Sequence, residues 1–232
     1  MPKIESMMSR FADSLTPILF LDTCIFLDIV RSTMLCLEGY TEAASRLLKM
    51  VSDPSPTCLI VISSAVPDEW ARNIDDVTKS VSKHLAQIER QSLHFHEACR
   101  ALGIGLALNR GGYDAYGLEL TLRSLSEQLL DASGRLDHDD RIPSRAFRRV
   151  VNKIPPASAK REWQDCYIIE DYLETCRTLR LMGHGSKLVF CTSNKNDYCL
   201  NADLHPELAN EFDEFGLNFK PNLPGALHAL TH

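Results

Sequence analysis

Four acidic residues are spaced along the chain so that their side chains could act together. Each follows an apolar, strand-like run or stands near the start of a helix: Asp22, Glu69, Asp165 and Asp197. Because loops at the carboxyl ends of parallel strands share one edge of an open α/β sheet, we expect these carboxylates to lie close together. Carboxylates gathered there repel one another unless a divalent cation neutralises them, and oxygen ligands suit Mg²⁺ or Mn²⁺. The pattern therefore indicates metal-assisted chemistry on phosphate groups.

Apolar runs flanked by turn residues predict the strands that position these acids. They lie at 18–22 (ILFLD), 58–62 (CLIVI) and 187–192 (KLVFCT), with a later strand in GLNFKP. Helical spacing of apolar residues predicts helices at about 24–30, 40–51, 64–102 (one or two helices), 117–130, 145–154, 158–182 and 204–213, and in LPGALHAL. A polar loop is expected at 131–144. Strands that alternate with helices predict an α/β fold with a mainly parallel sheet.

Length and composition restrict the class of protein. The chain has 232 residues, 44% of them hydrophobic, which is enough for one large domain with a sizeable core. A formal net charge of −6 argues against a protein that coats nucleic acid through overall positive charge. No apolar run approaches the roughly 20 residues that span a bilayer, and the first residues lack a signal-peptide pattern. We expect a cytoplasmic protein without a membrane span, whose eight cysteines are reduced thiols.

The segments around the four acids resemble those of the PIN-domain nuclease superfamily. LDTCIFLDIV is similar to its first strand and loop, and VPDEW to its second acidic segment. REWQDCYIIEDYL is similar to the helix with the third acid, and TSNKNDY to the motif after a later strand. The resemblance implies a three-layer α/β/α sandwich and an Mg²⁺- or Mn²⁺-dependent endonuclease that acts on RNA. It also implies one PIN-like domain over 1–232, with a helical and loop insertion at about 94–157.

The resemblance, together with metal chemistry, assigns a role to each acid. Asp22 and Asp165 are the expected metal ligands, and Asp197 binds the ion directly or through water. Glu69 would orient or deprotonate the attacking water, although Asp68 competes for this role because helix boundaries are uncertain by a few residues. Three further residues are expected to hydrogen-bond the carboxylates or metal-bound waters: Thr23, Thr192 and Asn194.

Two positions depart from the family pattern and leave alternative functions open. Cys24 stands where the family often has Asn, and Asn194 stands where many members have Asp. One negative charge is then missing, which lowers metal affinity without abolishing activity. The alternative is a module of the same fold that is catalytically weak or inactive and binds RNA or a protein partner. A phosphatase of the haloacid dehalogenase type is disfavoured, because such an enzyme needs a second Asp two residues after the first and this chain has Cys24 there.

A basic segment precedes the Asp165 helix and is predicted to guide the phosphates of the substrate. Its candidate substrate-binding residues are Arg145, Arg148, Arg149, Lys153, Lys160 and Arg161. Such contacts dominate nucleic-acid affinity, whereas the competing interpretation is an ordinary solvated face. The partners to consider are an RNA substrate, a second copy of the chain, and a protein inhibitor or antitoxin.

Structural roles are favoured for the remaining polar and aromatic residues that attract notice. Asp28 is expected to be solvated, and three acids of the 158–182 helix are expected to point outward: Glu170, Asp171 and Glu174. In HFHEAC, His94 and His96 lie on different helix faces, which disfavours a zinc site. Trp163 and Tyr167 are assigned to packing, with base stacking as the alternative.

Overall fold

The computed structural model describes residues 16–105, 117–137, 139–157 and 163–232. Its strands are β1 (Ile18–Leu21), β2 (Leu59–Ile62), β3 (Gly134–Arg135), β4 (Leu188–Cys191), β5 (Cys199–Leu200), β6 (Asp203–Leu204) and β7 (Leu217–Lys220). Its helices are α1 (Thr23–Arg31), α2 (Tyr40–Ser52), α3 (Ala65–Ala101), α4 (Leu118–Asp131), α5 (Arg141–Asn152), α6 (Trp163–Leu181), α7 (Lys195–Tyr198), α8 (Pro206–Phe215) and α9 (Leu223–Thr231).

A five-stranded sheet in the order β3-β2-β1-β4-β7 forms the centre of the fold, and all of its neighbouring strands are parallel. Every residue of β1 and β4 is buried. Strands of this kind are apolar on both faces because helices cover both sides of a parallel sheet. The predicted α/β/α sandwich with a mainly parallel sheet is therefore confirmed. The strands β5 and β6 form a separate antiparallel pair.

The predicted central strands agree with the structure to within one residue at each end, and the 64–102 segment is a single helix, α3. The polar loop predicted at 131–144 is partly wrong. It contains β3, which pairs with β2 but has two residues, too few to show an alternating pattern. It also contains the start of α5, four residues earlier than predicted. The polar composition of this segment predicted a loop, yet α5 begins within it, and its Pro143 fits the first turn of a helix.

The region predicted as an insertion, 94–157, contributes to the main core and sheet. The helix α4 packs against α1 and α3, and Leu122, Leu129 and Leu130 belong to the principal apolar cluster. The strand β3 adds the outermost strand beside β2. A boundary at residue 94 would fall inside α3. Whether this region counts as an insertion thus stays a prediction.

All eight cysteines are free, and five of them are buried, where they pack as small apolar side chains. No helix in the described ranges is both long and apolar enough to cross a membrane.

The acids of α6 do not point outward as the sequence predicted. Glu174 pairs with Arg145 of α5 at 2.7 Å, and Glu170 pairs with Arg149. Asp171 is 5% exposed. Burial raises the pKa of Asp171 to about 7, the charge of Asp139 adds to this rise, and a hydrogen bond from Ser63 opposes it. Asp171 is therefore largely protonated below neutral pH.

The raised pKa of Asp171 predicts a pH-dependent loss of stability. The ordinary pKa of this carboxyl is 3.8 and its folded-state value is about 7, so folding favours the protonated form. The stability that this proton contributes is complete below about pH 4 and is lost as the pH rises through 7. Between pH 5 and 8 the native protein should lose roughly 2–3 kcal/mol more than Asp171→Asn. Urea unfolding at both pH values measures this difference, and parallel pH profiles would refute it.

Candidate active site at the carboxyl edge of the sheet

The carboxyl ends of β1 and β4 place two polar side chains in direct contact. Asp22 follows β1 directly, and its carboxylate accepts a hydrogen bond from the backbone N–H of Thr23 at 2.7 Å. Asp22 thus follows the last residue of β1 and is the N-cap of α1, a position that favours a negative charge. Thr192 follows β4, and its hydroxyl donates to Asp22 Oδ2 at 2.6 Å.

The Glu69 carboxylate joins the same site from the first turns of α3. The Thr23 hydroxyl donates to Glu69 Oε2 at 2.6 Å, and Gln164 Nε2 donates to the same oxygen at 3.0 Å. Asp68, the competing candidate, is exposed on another part of the helix surface. The geometry therefore favours Glu69 over Asp68 as the acid of this segment.

The other two acids are joined through Asn194. Its backbone N–H donates to the Thr192 hydroxyl at 3.1 Å. Its side-chain amide donates to Asp165 Oδ2 at 3.2 Å and to Asp197 Oδ2 at 2.8 Å. The structure thus brings together all seven residues that the sequence proposed for catalysis and its support. We call this set the acid network: Asp22, Thr23, Glu69, Asp165, Thr192, Asn194 and Asp197.

Three acids of the network are almost fully enclosed: Asp22, Asp165 and Asp197 are 3%, 8% and 3% exposed. Burial raises the pKa of Asp22, and the neighbouring charge of Asp28 adds to this rise. Hydrogen bonds from Thr192, Cys24 and the Thr23 backbone oppose it. A bound dication would reverse the balance, since it favours the ionised carboxylate.

Sequence reasoning missed two residues that support the network. Asp28 is buried rather than solvated; it accepts a hydrogen bond from the Ser193 hydroxyl at 2.5 Å and pairs with Arg31 at 2.8 Å. An acid inside the apolar helix CIFLDIV was the signal for this role. Cys24 donates its thiol to Asp22 Oδ2 at 3.3 Å. Burial and the charge of Asp22 raise the pKa of this thiol, which keeps it protonated as a donor.

The donor set of the acid network fits a hard divalent cation. Its charged ligands are carboxylate oxygens, which Mg²⁺ and Mn²⁺ prefer. Asp197 Oδ1 is buried and has no hydrogen-bond partner among the described residues, which is costly in the absence of a cation. Within the described ranges, however, no three histidine, cysteine, aspartate or glutamate side chains converge as a preassembled metal site. The Asn194 amide lies between Asp165 and Asp197 instead.

The basic segment is only partly available to a substrate. Arg149 is 3% exposed, and its guanidinium donates to Glu170, to Glu211 at 2.7 Å and to the Pro155 carbonyl at 2.7 Å. The Arg149 charge is paired with the carboxylates of Glu170 and Glu211, which disfavours the predicted contact with phosphate.

The other predicted substrate-binding residues differ in their surroundings. Arg145 is half-buried against Glu174, whereas Arg148 and Lys153 are exposed. Lys160 and Arg161 lie outside the described residues.

Two open pockets lie at the ends of the acid network. One has a volume of about 290 Å³ and is lined by Ser64, Ala65, Asp68, Arg72, Trp163, Gln164 and Tyr167; we call it the Trp163 pocket. The other has a volume of about 780 Å³, includes Arg31, Tyr40, Ser193 and Lys195 in its lining, and is called the Lys195 pocket. Gln164 lines the Trp163 pocket and donates a hydrogen bond to Glu69. Ser193 and Lys195 line the Lys195 pocket and are the sequence neighbours of Thr192 and Asn194. Each pocket therefore borders the acid network through a lining residue that contacts or adjoins one of its members.

Comparison with known families agrees with this arrangement. A family model described as a PIN domain matches residues 19–198, which is more than half of the chain and includes the whole acid network. No curated protein and no solved structure matches the chain.

The Thr192 hydroxyl should stabilise the network measurably. Thr192→Val keeps the shape of the side chain but removes the donor to Asp22 and the acceptor for the Asn194 backbone. Leaving these buried groups without a partner should lower the free energy of unfolding by about 1–3 kcal/mol. Urea denaturation measures the loss, and Thr192→Ser, which retains the hydroxyl, is the matched control. Equal losses in the two variants would show that the hydroxyl does not support the network.

Proposed function

The chain belongs to the PIN-domain family, a family of nuclease-type proteins, and on that premise we propose that it is a metal-dependent endoribonuclease. The observation that carries the proposal is the acid network, in which four acids from four separate segments share one set of hydrogen bonds. Charged groups buried together without a metal or a substrate are costly. Their convergence at the ligand-binding edge of a parallel sheet supports a catalytic centre.

Asp22, Asp165 and Asp197 would hold the metal ion in this centre. When bound, Mg²⁺ or Mn²⁺ supplies a Lewis acid for the phosphate oxygens and a source of nucleophilic hydroxide near neutral pH. The chain orients the ligands: Thr192 and Cys24 fix the Asp22 carboxylate, and Asn194 fixes the other two.

Glu69 would accept the proton of the attacking water. Hydrogen bonds from Thr23 and Gln164 hold one of its carboxylate oxygens in place. A general base must be held within hydrogen-bond reach of the proton that it takes, and the two donors from different segments restrict the position of the Glu69 carboxylate. Asp22, whose carboxylate oxygens each accept hydrogen bonds, would serve as a ligand rather than as a base.

The pockets at the two ends of the network support a single-stranded substrate. Arg31, which is paired with Asp28, and Lys195 line one pocket, and Arg72 lines the other. An exposed cation such as Lys195 lets a protein with an overall charge of −6 contact a phosphate chain. Preference for RNA over DNA, a cytoplasmic location, and a second copy of the chain or an antitoxin as partner stay predictions.

One observation favours the alternative of a non-catalytic module that binds RNA or a protein. The Asn194 amide donates to both Asp165 and Asp197, so hydrogen bonds already satisfy one oxygen of each acid without a cation. Calorimetric titration with Mn²⁺ separates the two functions: a catalytic centre binds the ion, whereas a non-catalytic module shows no binding heat.

Removing two predicted metal ligands should abolish cleavage. Purified protein is incubated with single-stranded RNA and DNA of the same sequence in Mn²⁺, beside the double variant Asp22→Asn/Asp165→Asn. The loss of metal-assisted charge stabilisation, worth several kcal/mol, predicts a rate at least about 100-fold lower. The matched control is Asp213→Asn, at an exposed acid of α8. Circular dichroism checks that the variants fold, and equal cleavage by all three proteins would sink the proposal.

An aspartate at position 194 should lower the stability of the protein and raise its affinity for the metal ion. In Asn194→Asp the two donated hydrogen bonds become like-charge repulsion towards Asp165 and Asp197, so the melting temperature should fall in EDTA. In Mn²⁺ the added carboxylate should tighten binding by about tenfold or more. The control is Asn196→Asp, an exposed neighbour that adds the same charge. Unchanged Mn²⁺ affinity in Asn194→Asp would argue against a cation between these acids.

A further inference from the structure

We propose that the Trp163 pocket binds one base of the RNA beside the cleavage site and selects bases that carry an exocyclic amino group. This inference rests on the proposed ribonuclease function and specifies which part of the substrate the protein recognises. Three features of the pocket support it: its aromatic wall, its connection to the acid network, and the carboxylate at its edge.

The aromatic wall of the pocket is suited to stacking. Trp163 is the first residue of α6 and is 42% exposed, whereas Tyr167, one turn later, is buried. Their ring centroids are 6.4 Å apart with an interplanar angle of 41°. The Tyr167 hydroxyl lies 3.4 Å from the Ser64 hydroxyl, which restricts the position of the ring beside the indole. A half-exposed indole offers a base the kind of ring face that single-strand binders use for stacking.

The pocket shares a wall with the catalytic residues. Gln164 accepts a hydrogen bond from Arg72 at 3.2 Å and donates to Glu69 Oε2 at 3.0 Å. A base stacked on Trp163 therefore lies one side chain away from Glu69. A volume of about 290 Å³ is at the lower end of the range for small-ligand sites, which suits one base rather than a duplex.

Asp68 gives the pocket its selectivity. Its exposed carboxylate lines the pocket and can only accept hydrogen bonds when it is ionised. Cytosine, adenine and guanine present exocyclic amino donors, and a carboxylate pairs well with the cytosine amino group. Uracil presents a carbonyl oxygen at the equivalent position, which an ionised carboxylate repels. Cytosine and uracil thus form a matched pair of probes that differ at this group.

The intrinsic fluorescence of the protein provides a direct test. The chain has two tryptophans; the other, Trp70, is buried and donates to the Ser126 hydroxyl at 3.0 Å. Short oligocytidylate and oligouridylate are titrated into the 232-residue chain at low salt in EDTA, which prevents metal-dependent cleavage. Oligocytidylate should quench the fluorescence and bind about fivefold more tightly than oligouridylate.

Variants of the pocket separate the contribution of base stacking on Trp163 from the recognition of the exocyclic amino group by Asp68. Trp163→Ala should weaken oligocytidylate binding roughly tenfold or more, measured by anisotropy of a labelled oligomer, and Trp163→Phe should have an intermediate effect. Asp68→Asn should bring the two affinities to within about twofold of each other. Phe95→Ala, at an exposed aromatic residue of α3, is the control and should bind as the native protein does. Circular dichroism verifies that each variant is folded.

The outcomes distinguish this inference from the proposed function. Native affinity in Trp163→Ala, equal binding of the two oligomers by the native protein, or no binding of either would overturn the inference, whether or not RNA is cleaved in Mn²⁺. Selective binding that depends on Trp163 and Asp68 would support it, even if the Asp22→Asn/Asp165→Asn comparison showed no catalysis.

Discussion

The site depends on the Asp22 carboxylate, which is buried at the junction of β1 and α1. Because burial disfavours its charge, the surrounding residues must replace the lost water. A backbone N–H from Thr23, the hydroxyl of Thr192 and the thiol of Cys24 do so. These donors compensate only in part, since the pKa of Asp22 is still raised. A divalent cation would supply the remaining stabilisation, so under the proposed function metal binding and local stability would be coupled at this residue.

The same physical rules explain why most of the fold and the seven residues of the network could be predicted. Parallel strands need apolar residues on both faces, so β1, β2 and β4 appear as short uninterrupted apolar runs. Parallel strands also point their carboxyl ends at one edge. The order of strands places β1 between β2 and β4, and the polar residues that end these runs therefore meet. Thr23, which follows Asp22, and Thr192, which follows β4, lie at the same edge of the sheet.

Features that depend on long-range pairing could not be predicted from the sequence. Arg149 looked like part of a basic surface, yet it is held by Glu211, which lies 62 residues away in the chain. The contact of Gln164 with Glu69 spans 95 residues. Neither has a local signature, because periodicity shows which face of an element is apolar but not which polar groups meet across elements. The two-residue strand β3 is too short for any periodic pattern.

The neutral side chain at Asn194 fits a proposed metal centre that stays folded when no cation is bound. An aspartate there would place a third carboxylate within hydrogen-bond distance of Asp165 and Asp197, and like charges at this range destabilise one another. The amide replaces that repulsion with two donated hydrogen bonds. The same amide contributes no charge to a cation and must turn its oxygen, rather than its nitrogen, towards one. Under the proposed function, stability of the cation-free protein and affinity for the cation would therefore be opposed at this residue, and the asparagine of this chain favours stability.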